Sequence, residues 1–270
     1  MKILVTGGSG YKGSVLIPQL LKDGHEVISV DTNWFGDNLE DHPRLKKIKE
    51  DIRNIDLIPM DGIKSIIHLA NIANDPAVEI NPNLSWEVNV LASYQLADKA
   101  CRNGVDQIIY ASSGSVYGVK EELKVTEDLP LVPISVYNKT KMVAERVFLS
   151  FKDKMDIKCV RPATVCGYSP RMRLDVSVNM LTYQALHNGK ITVFGGNQTR
   201  PNIHISDMVN VYKHFLSKND IPSGCFNAGF ENISIIDIAH QVSKLIDTEI
   251  IVSESNDPRS YRQDSTKLLE

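Results

Sequence analysis

The chain has 270 residues, of which 42% are hydrophobic and 23% are charged, and its formal net charge is −3 at pH 7. This length permits one large domain or two small ones around a substantial hydrophobic core. The balance of 30 basic and 33 acidic side chains argues against a nucleic-acid-binding or anionic-membrane-binding surface, because such surfaces usually carry a basic excess.

The four cysteines form no CxxC pair and no spacing typical of metal ligands. We therefore expect free thiols, no metal site and a reducing compartment such as the cytoplasm. No apolar stretch approaches the ~20 residues that a membrane helix requires. The N-terminal apolar run ends at Thr6 before two glycines, unlike a signal peptide, so we expect no membrane association.

Short β-branched runs alternate with amphipathic stretches over the first half of the chain. Runs typical of buried strands lie at 2–6, 25–31, 45–51, 65–70, 107–113 and 157–163. Helical periodicity predicts helices over 11–22, 83–102 and 135–151. Strands that alternate with helices predict an α/β fold, a Rossmann-type doubly wound parallel sheet covered on both faces.

From about residue 165 the elements become shorter and are separated by glycine and proline. Helices are predicted over 176–187, 206–217 and 234–246, and short strands over 191–194, 224–228 and 249–253. Ser206 and Ser234 are suitable N-caps, and Ser234 with Asp237 forms a start like a capping box. We expect a large domain over 1–165 and a smaller C-terminal α/β lobe over 166–270, with part of 190–228 a candidate to return to the first domain.

The segment TGGSGYKG (6–13) follows the first strand and enters the first helix. Gly7 permits a tight turn, Gly10 lets the backbone approach a pyrophosphate, and Gly13 lets the helix pack close to the strand. The helix N-terminus adds unpaired N–H groups and a partial positive charge. Asp31 ends the second strand, where an acid binds the adenosine ribose and repels the extra phosphate of NADP. The pattern predicts an NAD site.

Lys12 places a charge in a turn that usually consists of small and apolar residues. Its ammonium opposes the helix dipole, at an expected cost of ~0.3–1 kcal/mol. Two positions are open to it, one beside the pyrophosphate and one extended into solvent. In either position we expect Lys12→Ile to leave activity intact and to change NAD affinity severalfold at most.

Tyr137 and Lys141 are four residues apart on a predicted helix, so both lie on one face. An ammonium beside a phenol stabilises the phenolate, which lowers the phenol pKa below its free value of ~10 and makes Tyr137 a general base. Ser113 lies at the carboxyl end of the fifth strand, where open α/β sheets bind ligands. A Tyr–Lys pair also occurs on plain solvated helices, so its meaning depends on the motifs that precede it.

Taken in this order, the motifs resemble those of the extended short-chain dehydrogenase/reductases. Within that group they resemble the nucleotide-sugar epimerase/dehydratase family, which includes enzymes such as UDP-glucose 4-epimerase. The matching segments span nearly the whole chain: TGGSGYKG (6–13), Asp31, Asp51–Ile52, HLAN (68–71), Asn89, SSGSVYG (112–118), YNKTK (137–141), RPATVCG (161–167), TRPNIHISD (199–207) and DPRSYRQDSTK (257–267). The resemblance implies the fold predicted above, with NAD bound by the large domain and a nucleotide-diphosphate sugar by the lobe.

The resemblance also implies roles for individual residues. The catalytic set is Ser113, Tyr137 and Lys141. The cofactor-binding set is Gly7, Gly10, Tyr11, Lys12, Gly13, Asp31, Asp51, Ile52, Leu69, Ala70, Asn89, Ser112, Tyr137, Lys141 and Pro162. The substrate-binding set is Asn74, Ser113, Ser115, Asn179, Arg200 and Arg259. We interpret Asn89 mainly as a tie between a helix and a strand, and His68 and His204 as core histidines.

The resemblance implies a first step in which Tyr137 removes a proton from a sugar hydroxyl, usually at C4, while NAD+ accepts the hydride. Dehydratases and decarboxylases of this group carry an acid just after the catalytic Ser or Thr, where this chain has Gly114 and Ser115. Neither side chain is an acid of suitable pKa. Members that act as 3,5-epimerase/reductases have Cys at the position of Ser115. We therefore favour 4-epimerisation or C4 oxidoreduction.

Other readings stay open. A nucleotide-sugar dehydrogenase, reductase or dehydratase shares most of these residues, and the basic stretch 169–179 does not identify the sugar. A non-catalytic NAD-binding scaffold or sensor is a further alternative, against which the intact Ser-Tyr-Lys set argues. A nucleic-acid-associated relative is disfavoured by the acidic charge.

The resemblance also implies a homodimer formed through the helices predicted over 83–102 and 135–151. These helices carry apolar residues beyond one face, namely Leu91, Leu96, Val143, Val147 and Leu149. Family members are usually longer than this chain, so we expect a lobe that is either short or incomplete at its C-terminal end.

Overall fold

The computed structural model describes residues 1–218, 220–255, 260 and 262–270. In chain order the strands of these residues are β1 Lys2–Thr6, β2 Glu26–Asp31, β3 Leu45–Lys49, β4 Ser65–His68, β5 Gln107–Ala111, β6 Asp156–Pro162, β7 Thr164–Cys166, β8 Lys190–Phe194, β9 Thr199–His204, β10 Gly224–Ala228, β11 Glu231–Ser234 and β12 Glu249–Ser253. The α-helices are α1 Gly13–Lys22, α2 Asp75–Ile80, α3 Pro82–Trp86, α4 Ala92–Arg102, α5 Val136–Leu149, α6 Ser177–Asn188, α7 Ile205–Ser217, α8 Ile235–Ile246 and α9 Thr266–Leu269.

Seven strands of the described chain form one sheet in the order β10-β6-β5-β4-β1-β2-β3. Every neighbouring pair in this sheet is parallel, which confirms the predicted doubly wound α/β arrangement. The strand order reverses beside β1, where β1 pairs with β2 on one side and β4 on the other. Such a reversal leaves a crevice at the carboxyl ends of the strands, which is where ligands bind in sheets of this kind.

Apolar side chains cover both faces of the sheet. Leu16 of α1 and Phe215 of α7 are fully buried against one face, and Leu96 of α4 and Phe148 of α5 are fully buried against the other. Burial on both faces explains why the central strands β1, β4 and β5 contain continuous apolar runs, whereas the edge strand β3 mixes apolar with charged residues. It also corrects one sequence-based expectation, because Leu96 belongs to this core and is not available to a dimer interface.

After leaving the large sheet, the chain returns to it. α7 packs on α1, and β10 pairs in parallel with β6 so that Phe226 lies opposite Val160. The smaller lobe has its own core, formed mainly by α6, α8 and the parallel pair β8–β12. No helix in the described ranges is both long enough and apolar enough to cross a membrane.

The structure differs from the sequence-based elements in three places. β7, β9 and β11 form a small mixed sheet that was not predicted as a unit. The helix predicted over 83–102 is interrupted by a π-helical turn at Glu87–Leu91. His204 is exposed, and its side chain caps α7 by accepting a hydrogen bond from Ser206 N, so the interpretation of His204 as a core histidine is wrong. Ser206 lies inside α7 and is not the predicted N-cap. Ser234 caps α8 as predicted.

Candidate active site

Two clefts open at the carboxyl edge of the large sheet. The first has a volume of about 290 Å³ and is lined by the glycine turn, the end of β2 and the segments that follow β3 and β4. The second has a volume of about 610 Å³ and is lined by the segment after β5, the start of α5 and the lobe. The clefts share five lining residues, which are Tyr11, Lys12, Asn74, Arg173 and Asp175.

The glycine turn is packed so closely that two of its residues cannot carry a side chain. Gly7 has a φ of +72°, and a Cβ there would lie 2.6 Å from the backbone nitrogen of Ala70. A Cβ on Gly13 would lie 2.4 Å from the carbonyl oxygen of Gly8. A Cβ on Gly10 would meet only the Gly7 carbonyl oxygen, at 3.2 Å. The turn thus exposes bare backbone to the first cleft, as a bound diphosphate requires.

Asp31 is held at the wall of the first cleft by two backbone groups. Its carboxylate accepts hydrogen bonds from the N–H of Ser9 at 3.0 Å and of Asn33 at 2.8 Å. Burial is the main influence on its pKa and raises it, while these two hydrogen bonds act in the opposite direction. The carboxylate is therefore fixed beside the glycine turn, where it fits the hydroxyls of a ribose.

Ile52, Leu69 and Ala70 line the first cleft, as expected for cofactor-binding residues. Asp51 lines it too, but its carboxylate is held by Arg53 through bonds of 2.9 to 3.2 Å, and Arg53 also pairs with Glu87 at 2.8 Å. The hydrogen bond from Arg53 lowers the pKa of Asp51. Asp51 therefore presents a charge that is already partly neutralised.

Three predicted cofactor contacts lie elsewhere. Asn89 is fully buried, accepts from Ile72 N at 2.8 Å, and donates to Ile72 O at 3.2 Å and to Thr140 Oγ1 at 3.1 Å. Both of its N–H groups are thus used inside the protein, so the predicted cofactor contact is wrong, and Asn89 ties the π-helical turn to the segment after β4 and to α5. Ser112 and Pro162 line the second cleft rather than the first.

Tyr137 and Lys141 lie one turn apart on α5. This helix starts at Ser135, whose hydroxyl accepts from Asn138 N at 3.1 Å and donates to Asp75 at 2.6 Å. The ammonium of Lys141 donates to the carbonyl of Ala111 at 2.7 Å and lies 5.9 Å from the centroid of the Tyr137 ring. Tyr137 itself lines the second cleft, so α5 brings the predicted pair together at the edge of the sheet.

Ser113 belongs to a short chain of hydrogen bonds. Its hydroxyl lies 2.7 Å from that of Ser115, and Ser115 donates to Asn138 Oδ1 at 2.6 Å. Because the single hydroxyl proton of Ser115 goes to Asn138, Ser113 must donate to Ser115. Ser113 also accepts from Ser115 N at 3.2 Å, so one oxygen lone pair remains for Tyr137 or for a substrate hydroxyl in the second cleft.

The pKa values differ from the sequence-based expectation. Burial raises the pKa of Tyr137, and the positive charge of Arg173 and the contact with Ser113 only oppose this effect. Burial also holds the pKa of Lys141 well below its usual range, and repulsion from Lys12 adds to it. The expected lowering of the Tyr137 pKa by Lys141 is therefore wrong for the ligand-free protein, since desolvation outweighs the neighbouring charge.

Most predicted substrate residues line the second cleft, namely Asn74, Ser113, Ser115 and Arg200. Asn179 does not, because its amide accepts from Gly167 N at 2.9 Å and donates to Tyr11 Oη at 3.2 Å and Arg173 O at 2.9 Å. The predicted contact of Asn179 with a diphosphate is thus wrong, and the residue instead ties the lobe to the glycine turn. Arg259 lies outside the described residues.

Sequence reasoning did not single out Arg173 and Asp175, although it marked their stretch as basic and polar. The Arg173 guanidinium holds Asp175 by two bonds, Nε at 3.0 Å and Nη2 at 2.6 Å. Asn74, whose φ is +74°, donates to the same carboxylate at 2.9 Å. This bridge joins the lobe to the segment after β4 at the point where the two clefts meet.

The fold and the site together define an extended short-chain dehydrogenase/reductase: a doubly wound sheet, a glycine turn with an acidic partner, and Ser113, Tyr137 and Lys141 beside a second cleft. The model of the NAD dependent epimerase/dehydratase family matches residues 3–229. The chain belongs to this enzyme family.

Individual relatives agree with this assignment. The chain is 29% identical to a UDP-glucose 4-epimerase of Lactobacillus helveticus, over 99% of this chain and 89% of the relative. It is 32% identical to a Bacillus subtilis (strain 168) protein described as an uncharacterised UDP-glucose epimerase, over 91% and 82%. Among solved structures, UDP-glucuronic acid 4-epimerase from Bacillus cereus, in complex with UDP-glucuronic acid and NAD, is 30% identical with a TM-score of 0.88 over 99% and 91%.

Proposed function

We propose that this protein is an NAD-dependent 4-epimerase of a UDP-sugar in which Tyr137 is the base. The observation that carries the proposal is that Tyr137 and Ser113 both line the second cleft, with Lys141 one turn from Tyr137 on α5. The first cleft offers a bare glycine turn and the Asp31 carboxylate, which fit NAD. The B. cereus relative supports the pairing of NAD with a UDP-sugar.

The residues of this chain divide the chemistry between them. Bound NAD supplies the hydride acceptor. When a sugar binds, Ser113 turns its hydroxyl proton from Ser115 to the C4 oxygen, and the Tyr137 phenolate takes the proton of the C4 hydroxyl. With NAD as hydride acceptor and donor, a C4 ketone would form and would be reduced on its other face, and Tyr137 would return the proton to give the epimer. Lys141 lies near enough for its charge to favour the phenolate when it is protonated.

The lining of the second cleft favours this simple reaction over elimination. Gly114 and Ser115 lie beside Ser113 in that cleft and carry no acid that could protonate a leaving hydroxyl. Asp75, Glu79 and Asp175 also line it, but Asp75 accepts from Ser135, Asp175 holds Arg173, and Glu79 is exposed on α2. A neutral hexose is the first candidate, because a sugar carboxylate would compete with Asp175 for Arg173. A uronic acid is the second candidate, as in the B. cereus relative.

We also propose that residues 1–165 hold the cofactor, that 166–270 hold the sugar nucleotide, and that the protein is a homodimer. In the first part lie the glycine turn and α5, while Arg173 and Arg200 belong to the second. Within 166–270, α7 packs on the large sheet and β10 is one of its strands, so the second part of the chain completes the fold of the first.

The test is an assay against UDP-glucose, UDP-galactose, UDP-glucuronic acid and UDP-galacturonic acid, with separation of the C4 epimers and measurement of NADH. We expect one epimeric pair to interconvert without net NADH formation. Tyr137→Phe should abolish this conversion while NAD stays bound, and Tyr168→Phe, which alters an exposed tyrosine, should leave it intact. A 4-keto-6-deoxy product would instead identify a dehydratase, and retained turnover in Tyr137→Phe would remove this tyrosine as the base.

A further inference from the structure

Lys12 projects into the region where the two clefts meet. It is the last residue before α1, and its side chain lines both clefts. The ammonium lies 6.0 Å from the centroid of the Tyr212 ring, which is fully buried on α7. This position is inside the cleft, so the extension into open solvent considered from the sequence is wrong.

The ammonium of Lys12 has no counter-charge within the described part of the chain. It forms no hydrogen bond or ion pair there, and the nearby Tyr212 hydroxyl is likewise buried without a partner. Burial lowers the pKa of Lys12 to about 8, and the charge of Arg173 acts in the same direction. A cation without a partner is unfavourable in such a partly buried position. The position of the Lys12 ammonium is explained if a bound anion pairs with it.

The surrounding backbone indicates which anion this is. The N–H groups of Tyr11 and Lys12 have no acceptor among the described residues, and they lie in the same glycine turn as the ammonium. At the N-terminus of α1, such groups favour a phosphate. Arg173, the other cation shared by the clefts, is already held by Asp175. Of the two cations that line both clefts in the described chain, only Lys12, in the glycine turn, therefore lacks a carboxylate partner.

We propose that the ammonium of Lys12 is a direct ligand of the cofactor's diphosphate, so that this turn binds NAD through a side-chain charge as well as through its N–H groups. The proposal rests on the proposed function, because it takes the dinucleotide as the occupant of the first cleft. A lysine serves as a compact charge beside a phosphate. We therefore expect loss of the Lys12 charge to weaken NAD binding by more than the severalfold change expected from the sequence.

The experiment measures binding of ADP-ribose, NADH and UDP by calorimetry to protein freed of nucleotide. Lys12→Met keeps the length of the side chain without its charge, and we expect it to weaken ADP-ribose and NADH by at least about tenfold, the effect of losing one charge-assisted bond. UDP affinity should fall by less than ADP-ribose affinity because, although Lys12 lines both clefts, the unpaired N–H groups beside it belong to the glycine turn of the first cleft. Lys12→Arg should keep most of the affinity, and Lys22→Met, at an exposed position of the same helix, should match the parent protein.

The outcomes separate the two proposals. Failure of the parent protein to bind NADH or ADP-ribose would overturn the proposed function itself. Parent-like ADP-ribose affinity in Lys12→Met, or loss of UDP affinity alone, would overturn the role of Lys12 and leave the NAD assignment standing. The ligand-free Lys12→Met protein should unfold at the same temperature as the parent or higher, because a partly buried, unpaired charge is removed. If it fails to fold, Lys12→Gln provides the same comparison.

Discussion

The hydroxyl of Ser112 donates a 2.5 Å hydrogen bond to Oε1 of Glu145, and both residues are buried. Glu145 also holds Arg161 through bonds of 2.9 and 2.8 Å, and Arg161 donates to Tyr117 Oη at 2.7 Å. Ser112 directly precedes Ser113, and Glu145 lies one helical turn beyond Lys141. This network therefore fixes α5 against the end of β5 and sets the spacing of the proposed catalytic residues.

Glu145→Ala should destabilise the protein severely. The substitution leaves the buried Arg161 guanidinium without its carboxylate, which typically costs about 3–5 kcal/mol. Urea unfolding followed by circular dichroism measures this loss. Glu87→Ala is the matched control, because its pair with Arg53 is exposed and should contribute less than about 1 kcal/mol. Equal losses in the two variants would show that the buried pair has no special role.

Gly7→Ala should cost more stability than Gly104→Ala. Both glycines have a φ near +70°, but a Cβ on Gly104 meets nothing within 4 Å, while one on Gly7 meets the backbone of Ala70. The Gly104 variant measures the conformational cost alone, about 1–2 kcal/mol. We expect Gly7→Ala to lose more than this and to bind NADH weakly, as measured by urea unfolding and fluorescence titration. Similar unfolding energies would contradict the close approach of β1 and β4.

The periodic part of the fold was predictable because the sequence repeats a local signal. The central strands of the large sheet, such as β1, are apolar, β-branched runs buried on both faces, and the glycine spacing marks the turn before α1. The mixed sheet of β7, β9 and β11 was not predictable in this way. Its strands are short and pair over long sequence separations, for example Thr164 with Asn202. Local periodicity contains no information about such pairing.

In the candidate site, too, local motifs were predictable, whereas contacts between distant segments were not. Motif order identified Ser113 and Tyr137, which line one cleft in the structure, and Lys141, which lies one turn from Tyr137 on α5. Motif order did not predict that the Asn179 amide donates hydrogen bonds to Tyr11 Oη and Arg173 O. Such bonds between distant segments depend on how the lobe packs against the large domain. The pKa of Tyr137 was misjudged for a related reason, since a sequence shows the spacing of charges but not their loss of solvent.

His68 should make the protein less stable in acid. Ser93 donates to Asn89 O, so Nε2 of His68 must donate to Ser93 and Nδ1 must accept from Thr6. Burial lowers the pKa of His68 to about 3, below the ordinary value near 6.5. Between these pH values the unfolded chain binds a proton that the folded one does not, so the unfolding free energy falls as pH decreases, by up to ~1.4 kcal/mol per unit.

Urea unfolding at several pH values between 7 and 4 measures this slope. His68→Gln removes the titrating ring and should flatten the slope, even though the variant starts from a lower stability. His214→Gln, at an exposed histidine of α7, is the control and should keep the slope of the parent protein. An unchanged slope in His68→Gln would assign the acid sensitivity to other groups.

Arg171 and Phe35 should slow the release of the cofactor. The Arg171 guanidinium lies 3.9 Å from the centroid of the Phe35 ring, and both residues line the first cleft from opposite parts of the chain. An exposed cation–π contact contributes about 0.5–1 kcal/mol, so Arg171→Ala should release NADH roughly two- to fivefold faster. Stopped-flow displacement measures the rate. Phe35→Leu should give a similar increase and the double variant little more, whereas additive effects would mean that the two side chains act separately.

The proposed homodimer should depend on the exposed apolar side chains beside α4 and α5. Leu91 and Tyr94 are 53% and 50% exposed, while Val143 and Val147 are half-buried on the neighbouring helix. Apolar side chains grouped on a surface mark an interface more often than isolated ones do. Light scattering should give twice the chain mass at micromolar concentration, and Leu91→Asp should shift the protein to monomer. Leu245→Asp, at an apolar residue of the lobe that is 87% exposed, should leave the dimer intact. A parent protein that stays monomeric across micromolar concentrations would remove the proposal.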